Sequence, residues 1–417
     1  MSNANSSSPS SVATNGEGKT KRIVLGVCAG IAAYKACELV RLLTESGHEV
    51  VVVPTRESLN FVGEPTWAAL SGHPVATDVW STVHEVPHVR LGQSADLVVV
   101  APATADTLAR AAQGLANDLL TNTLLTAQCP VVFAPAMHTE MWEHPATQAN
   151  VATLRGRGAI VIEPAVGRLT GSDSGKGRLP DPAELYAVLN RLLRSGPTRG
   201  DLSGQHIVIS AGGTRESIDP VRYLGNRSSG RQGYALARTA IARGAQVTLV
   251  AANVGLPTPA GAELVTVSSA TDMHATMLDL SHKADVVVMA AAVADFRPLD
   301  YRESKIKKSE LAEPDPIRLT KNPDILRKLV EKRHPGQLIV GFAAETDNVL
   351  EHGLSKLARK GCDLLIVNEV GADLAFGRPD NAAVILASDG SRASVPRGPK
   401  EDIADAIWDS VHSRLMS

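Results

Sequence analysis

Apolar residues in this chain fall into short unbroken runs separated by stretches with helical spacing. Ile23 to Cys28, Glu49 to Val53, Leu97 to Ala101 and Val131 to Ala134 read as strands. The first is joined through Ala29-Gly30 to a helical pattern from Ile31 to Glu45, which stops at Ser46-Gly47. Each run is continuous in Val, Ile and Leu instead of alternating, as expected of a strand covered by helices on both faces. Strand alternating with helix predicts a parallel sheet. The pattern lapses at Arg191 to Gly204, where RLLRSGPTRGDLSG mixes charge, Pro and three Gly without an apolar period, and this stretch reads as a linker. It then restarts with strands at Gln205 to Ser210, Gln246 to Val250, Asp285 to Ala290, Leu338 to Gly341 and Leu364 to Val367, and helices at Gln232 to Arg243 and Asn348 to Lys360. Two tandem, doubly wound, Rossmann-like α/β domains are expected, at 21–193 and 205–417 with a linker at 194–204. The halves do not repeat each other motif for motif.

Length supports the division, since 417 residues exceed one ordinary core. Aromatics make up only 3%, so small aliphatics must fill the interior. The net charge of -2 gives no global basic field for nucleic acid. Cys28, Cys37, Cys129 and Cys362 form no CxxC pair, which argues against a disulfide framework or a zinc ribbon and fits a reducing compartment. The longest apolar run, Val286 to Ala294, is about half of what a bilayer-spanning helix needs. Residues 1–20, rich in Ser, Asn and Gly without an apolar core, are expected to be a disordered leader and not a signal peptide, leaving the protein in the cytoplasm.

Several motifs carry candidate chemistry. His84-Glu85-Val86-Pro87-His88 matches the zinc-binding HExxH pattern, but Pro87 should break the helix that pattern needs, at a cost of about 3 kcal/mol. His88, just upstream of Leu97 to Ala101, then reads either as a surface histidine or as a residue in a turn near a site. Gly171 to Arg178 resembles a phosphate loop with the wrong spacing, and its three glycines in seven residues suggest a mobile flap with Arg178 available to an anion. Ala101-Pro102-Ala103-Thr104 puts a hydroxyl and free amides at the carboxyl edge of a sheet, where open α/β folds bind ligands. Ser210 to Glu216 follows a strand, and Asn226 to Gly230 precedes a helix and offers amides, Ser228 and a positive dipole to a phosphate. Neither is GxGxxG, which disfavours a nicotinamide-dependent reductase. Lys305-Ile306-Lys307-Lys308 reads either as a solvated charge run or as a polyphosphate clamp.

In combination these segments resemble the bacterial bifunctional phosphopantothenoylcysteine decarboxylase/phosphopantothenate-cysteine ligase family of coenzyme A biosynthesis. The resemblance runs from about Lys21 to the C-terminus and is carried by Gly26 to Lys35, His88 with APATADT (Ala101 to Thr107), PAM (Pro135 to Met137), AGGTRESIDPVRYLGNRSSG (Ala211 to Gly230), AAVADF (Ala291 to Phe296), KIKK, KNPDIL (Lys321 to Leu326) and GFAAET (Gly341 to Thr346). It implies a flavodoxin-like, FMN-dependent decarboxylase in the N-terminal half. FMN would be held by Ala29, Gly30, Ile31, Thr55, Thr104, Ala105, Asp106, Thr107 and Met137. In that family flavin oxidation of the cysteine thiol to a thioaldehyde eases loss of carbon dioxide, and His88 matches the catalytic histidine, a role typically worth about 10²- to 10⁴-fold. Two positions depart from the family pattern: His138 replaces the Asn of PAMN, and Thr170 stands where the flap carries its proton-donating Cys. His138 can bond a carboxylate as Asn does and can also supply a proton. An alternative from another class is a flavin-binding scaffold, which the missing cysteine favours.

The C-terminal half resembles the CTP-dependent ligase, which activates 4'-phosphopantothenate as an acyl cytidylate before cysteine displaces CMP. The matching CTP positions are Met289, Ala290, Ala291, Asp295, Lys305, Pro323, Asp324, Ile325, Leu326, Phe342, Lys356 and Lys360. Asn226, with Ser228 and Gly230, matches the contacts to phosphopantothenate and the acyl cytidylate, and the triphosphate implies Mg2+. The family also implies a homo-oligomer, a dodecamer built from flavin-domain trimers and ligase-domain dimers.

Overall fold

The computed structural model describes residues 20–75, 86–169, 173–197, 200–306, 316–345, 348–369 and 380–416. The chain packs as two compact units that divide between Val161 and Ile162. The proposed leader up to residue 19, His84, Thr170 with Gly171 and Ser172, and Lys307-Lys308 lie outside the described residues.

The first unit contains β1 (Arg22–Val27), α1 (Ala33–Glu45), β2 (Glu49–Pro54), α2 (Glu64–Ser71), α3 (Pro87–Ser94), β3 (Leu97–Ala103), α4 (Ala105–Gln113), α5 (Leu119–Thr126), β4 (Val131–Pro135), α6 (Thr139–Glu143), α7 (Pro145–Gly156) and β5 (Ile160–Val161). The strands pair in the order β2-β1-β3-β4-β5, all parallel. The order reverses direction between β1 and β3, and at such a switch point the outgoing loops part and leave a crevice. Helices cover both faces, and the apolar residues of β1 and β3 are buried throughout. At Gly26 a Cβ would stand 2.4 Å from Leu120, so α5 can lie this close to β1 only over a glycine. Cys28 is buried one residue beyond β1, with its Sγ 3.1 Å from the Thr107 hydroxyl.

Two expectations for this half change. The first helix begins at Ala33, two residues later than its apolar pattern, because Gly30 and Ala32 still turn the chain. Pro87 opens α3 instead of preventing it, since at the first helical position its missing N–H costs nothing; Val86 takes a φ of 45° just before it. His88 therefore stands in the first turn of a helix, not in a turn.

The second unit contains β6 (Ala165–Arg168), β7 (Ser174–Arg178), α8 (Pro182–Ser195), β8 (His206–Gly212), β9 (Arg215–Ser217), β10 (Tyr223–Gly225), α9 (Arg231–Ala242), β11 (Gln246–Ala252), β12 (Ala262–Val267), α10 (Ala270–Ser281), β13 (Val286–Met289), β14 (Phe296–Pro298), β15 (Leu319–Lys321), α11 (Ile325–Lys332), β16 (Leu338–Glu345), α12 (Val349–Lys360), β17 (Leu364–Glu369), β18 (Asp380–Ala387), β19 (Arg392–Pro399) and α13 (Lys400–Leu415). Its main sheet runs β12-β11-β8-β13-β16-β17-β18-β19. The first six strands are parallel and the last two antiparallel, so the expected parallel sheet is extended by a meander at one edge. Its switch point lies between β8 and β13. The glycine-rich stretch expected as a flap is in part the hairpin β6–β7.

Packing assigns α8 to this second unit, whereas the sequence pattern places it before the linker. The reason is a set of charges on the α8 face. Arg191 grips Asp405 of α13 through two bonds of 2.8 and 2.9 Å, and Glu184 accepts from Arg238 of α9 at 2.8 Å. Arg191 and Glu184 are buried. No helix among the described residues is long and apolar enough to cross a membrane.

Trp408 is fully buried between α13 and α9, and its Nε1 donates to the Thr239 hydroxyl at 2.8 Å. Trp408→Ala should lower the unfolding free energy of the second unit by about 3–5 kcal/mol, read from its urea transition; a loss under about 1 kcal/mol would contradict this packing. A second expectation concerns Cys28, whose thiol burial pushes up to about 11 from 9.0 against weaker lowering by the Thr107 and Thr104 bonds. The raised value means that its stabilising contribution is complete below pH 9 and is lost as pH rises towards 11, by ~2–3 kcal/mol. Urea titrations at pH 9 and pH 11 should therefore show a smaller alkaline loss for Cys28→Ala than for the native chain.

Candidate functional site

At the carboxyl edge of the first sheet, the ends of the central strands are tied to one another by backbone bonds. Cys28 N donates to Pro102 O at 3.2 Å, Thr55 N to Val27 O at 2.9 Å, and Ala136 N to Ala103 O at 3.0 Å. These bonds gather the residues after β1 (Ala29, Gly30, Ile31), after β2 (Thr55), after β3 (Thr104 to Thr107) and after β4 (Met137, His138) along one edge. Thr104 caps α4 by accepting from Thr107 N at 3.3 Å, and the two hydroxyls lie 3.1 Å apart. The next amides, at Ala105 and Asp106, open a helix whose dipole favours an anion. Asp106 itself is turned to Arg110, at 2.9 Å. Ile31 is two-thirds exposed, at 67%, which leaves an apolar side chain at the edge. The Thr55 hydroxyl is buried without a hydrogen-bond partner among the described residues, an arrangement that costs free energy until something bonds it.

His88 is joined to a different element. Its carbonyl accepts from Thr126 of α5 at 2.7 Å, and its Nδ1 is buried without a partner among the described residues. His138 precedes α6, where its carbonyl accepts from Met141 and Trp142. Arg178 is exposed on β7, its guanidinium and stem close to Gly167 of β6.

In the second unit, the segment leaving β13 is stitched to the end of β8. Ala291 N donates to Ser210 Oγ at 3.1 Å, Ala292 N to Gly212 O at 2.8 Å, Thr214 N to Ala292 O at 3.2 Å and Ala294 N to Thr214 Oγ1 at 3.0 Å. Asn226 joins the same segment through its Nδ2, which donates to Val293 O at 3.0 Å. Such close layering requires glycine. A Cβ on Gly212, at φ 85°, would stand 2.1 Å from Ala252 O, and one on Gly213 would stand 2.8 Å from Asn226 O. Gly230, at φ 75°, precedes α9, and its N–H donates to Ser228 Oγ at 3.4 Å.

Beside this stitched segment lies a cleft of about 520 Å³ lined by Met289, Ala291, Val293, Ala294, Asp295, Phe296, Lys321, Asn322, Pro323, Asp324, Ile325, Leu326, Phe342, Lys356 and Lys360. That volume suits a small organic ligand. The apolar walls come from β13, α11 and β16, and the cations from the end of β15 and from α12. Lys356 and Lys360 are one helical turn apart and so share a face of α12. Asp324 caps α11 and pairs with Lys360. Burial pushes its carboxyl up, but the Lys360 bond, the Arg327 N–H and both cations outweigh burial and hold it below the usual range.

The structure thus brings ten of the sequence-derived positions into one cleft. Ala290 instead packs against the core. Lys305 is exposed and not part of this lining. Asn226, Ser228 and Gly230 gather at the end of β8. Phe296, Lys321 and Asn322 line the cleft although motif matching did not single them out. Asn322 bonds Ala294 O through Nδ2 at 2.8 Å and accepts from Arg297. The signal was present in KNPDIL and AAVADF, whose outer residues were left unused. A second hollow of about 510 Å³ is lined by Arg191, Arg243, Asp201, Asp402, Asp405 and Asp409, most of them engaged with one another, so it reads as a structural ion-pair network.

Comparison with known proteins also finds two parts, with a border later in the chain than the one that packing sets. Residues 11–194 match the Flavoprotein family model, and 202–415 match the DNA/pantothenate metabolism flavoprotein C-terminal domain. The coenzyme A biosynthesis bifunctional protein CoaBC of Mycolicibacterium smegmatis is 56% identical over 95% of this chain and 98% of its own. That of Bacillus subtilis is 40% identical over 94% and 96%. A solved C-terminal domain of a coenzyme A biosynthesis bifunctional protein CoaBC is 35% identical, covering 52% of this chain and 98% of that one with a TM-score of 0.45. With this identity sustained over nearly the whole of both chains, the protein belongs to the family of coenzyme A biosynthesis bifunctional proteins CoaBC.

Proposed function

We propose that the two strand-end sites divide the two reactions of this bifunctional coenzyme A enzyme. The site of the second unit ligates 4'-phosphopantothenate to cysteine at the expense of CTP. The site of the first decarboxylates the resulting 4'-phosphopantothenoylcysteine with FMN. The single observation that carries the reading is the 520 Å³ cleft, which joins an apolar wall sized for a nucleoside to Lys321, Lys356 and Lys360. Its walls suit a cytosine and ribose, and its lysines suit phosphates. Asn226 stands where the outgoing segments of β8 and β13 meet, so its side-chain amide can exchange the Val293 carbonyl for the oxygen of an activated carboxylate. Lys305 meets the triphosphate from outside the cleft. Among the described residues no group of three or more His, Cys, Asp or Glu side chains could hold a metal. Magnesium would therefore enter on the triphosphate, keeping phosphate and water ligands as it commonly does.

For the first unit, the fit to FMN rests on the unpartnered Thr55 hydroxyl and the capped start of α4. Ala29 to Ile31, Thr55, Thr104 to Thr107 and Met137 would hold it, with amides and hydroxyls towards phosphate and Ile31 against the ring. When bound, FMN supplies the two-electron acceptor that makes the cysteinyl carboxylate a leaving group. His88, whose Nδ1 has no partner among the described residues, can bind that carboxylate or move a proton. His138 or Thr170 delivers the final proton to carbon, with Arg178 meeting the substrate phosphate. The enzyme would act in the cytoplasm as a homo-oligomer, with the functional border at 194–204.

One reconstitution tests the assignment: the purified chain with 4'-phosphopantothenate, cysteine, CTP and magnesium, followed by product mass. The expected product is 4'-phosphopantetheine, formed by a yellow protein. A colourless protein that takes up no FMN, or full replacement of CTP by ATP, would overturn the respective half. His88→Asn should accumulate 4'-phosphopantothenoylcysteine at an undiminished ligation rate. Loss of ligation in a folded variant would show that the two sites are not independent.

A further inference from the structure

Lys305 sits on a segment whose backbone is fastened at both sides of it. Arg302 N donates to Ile218 O at 3.1 Å, and Ile306 N donates to Asp219 Oδ2 at 3.2 Å. The partners of both anchors belong to the turn between β9 and β10, and β10 leads directly into Asn226. Asp219 is buried, at 2% exposure. Its Oδ1 accepts from Val221 N and Arg222 N, both at 2.8 Å, and its Oδ2 also meets Arg222 Nη1 at 3.3 Å. The same Arg222 nitrogen reaches Ile306 O at 3.3 Å. One carboxylate therefore holds the turn with one oxygen and the Lys305 segment with the other. Burial alone would raise its pKa, but the N–H groups of Val221, Ile306 and Arg222 and the Arg222 charge overcome this and lower it, so it remains an acceptor on both sides.

We infer that Asp219 is a positioning residue of the ligase site, a latch that fixes Lys305 relative to Asn226. The inference rests on the assignment of Lys305 to the triphosphate made above. Its chemistry permits a selective test. In Asp219→Asn, one oxygen becomes an NH2 group. The remaining oxygen is kept by the two short bonds from Val221 and Arg222, so the NH2 must face the Ile306 N–H and the Arg222 guanidinium, donor against donor. The turn survives and the latch opens.

Amide hydrogen exchange on the full chain, resolved at the peptide containing Ile306, should show lost protection in Asp219→Asn while Val221 and Arg222 stay protected. KM for CTP should rise roughly 10- to 100-fold, as for a hydrogen bond to a charged group, with decarboxylation of supplied 4'-phosphopantothenoylcysteine unchanged. In the double variant, Lys305→Gln should add no more than about twofold to the effect of Asp219→Asn, because both remove the same interaction. Full Ile306 protection in Asp219→Asn overturns the latch. Lost protection with additive kinetic effects overturns its role in positioning Lys305. An unchanged KM for CTP in Lys305→Gln alone overturns the assignment of Lys305 and the positioning role with it, while Ile306 exchange still reports whether the latch exists.

Discussion

The run from Ala291 to Ala294 leaves β13 bonded back to β8, not as a free loop, and the second site depends on that constraint. Four bonds from Ser210, Gly212, Ala292 and Thr214 satisfy backbone groups that the diverging strands would otherwise orphan. Once this segment is fixed, Ala294 O and Asp295 O are presented to Asn322, which brings in the loop before α11, and Val293 O is presented to Asn226. One backbone arrangement thereby holds a cleft wall, the loop before α11 and the candidate amide donor in a common frame. The glycines at 212 and 213 are the sequence's concession to it, because any side chain there would push the layers apart.

The first site has the same logic with different chemistry. Its strand ends are tied by Cys28, Thr55 and Ala136, beside a capped helix start and a Thr55 hydroxyl with no partner among the described residues. Positioning by rigid strand ends with function in the loops beyond them is what open α/β sheets offer generally. The tandem of two such sheets gives one chain two such strand-end edges.

The central strands were legible because burial on both faces forces continuous Val, Ile and Leu runs, as in Val98 to Val100 and Val286 to Val288. The edge was not. β12 reads Ala-Glu-Leu-Val-Thr-Val with three exposed and three half-covered positions, and β19 carries Pro396 and three exposed or partly exposed charges or glycines, so neither shows a periodic apolar signal. Short hairpins such as β9–β10 are held by a turn carboxylate and by Arg215 over the Tyr223 ring, 4.6 Å from its centre, which no pattern of hydrophobicity reports. For the sites, motif resemblance supplied most lining residues. What it lacked was connectivity: it could name Lys305 and Asn226 but not the buried Asp219 between them, because a residue that bonds only protein is silent in a reading tuned to ligands. Pro87 shows the opposite error, a rule about helix interiors applied at a helix start.

The ion pairs that bind α8 have a consequence for how this chain can be cut. A break in the stretch after Ser195, which the sequence pattern and the family models both invite, would leave Arg191 and Glu184 on one fragment and Asp405 and Arg238 on the other. These groups are buried or nearly so in the intact chain. Each fragment would then carry charges without the counter-ion that each meets in the intact chain. Evolutionary module and packed piece therefore part company here: the inherited border runs after α8, whereas the compact unit that holds α8 begins before it, at Ile162.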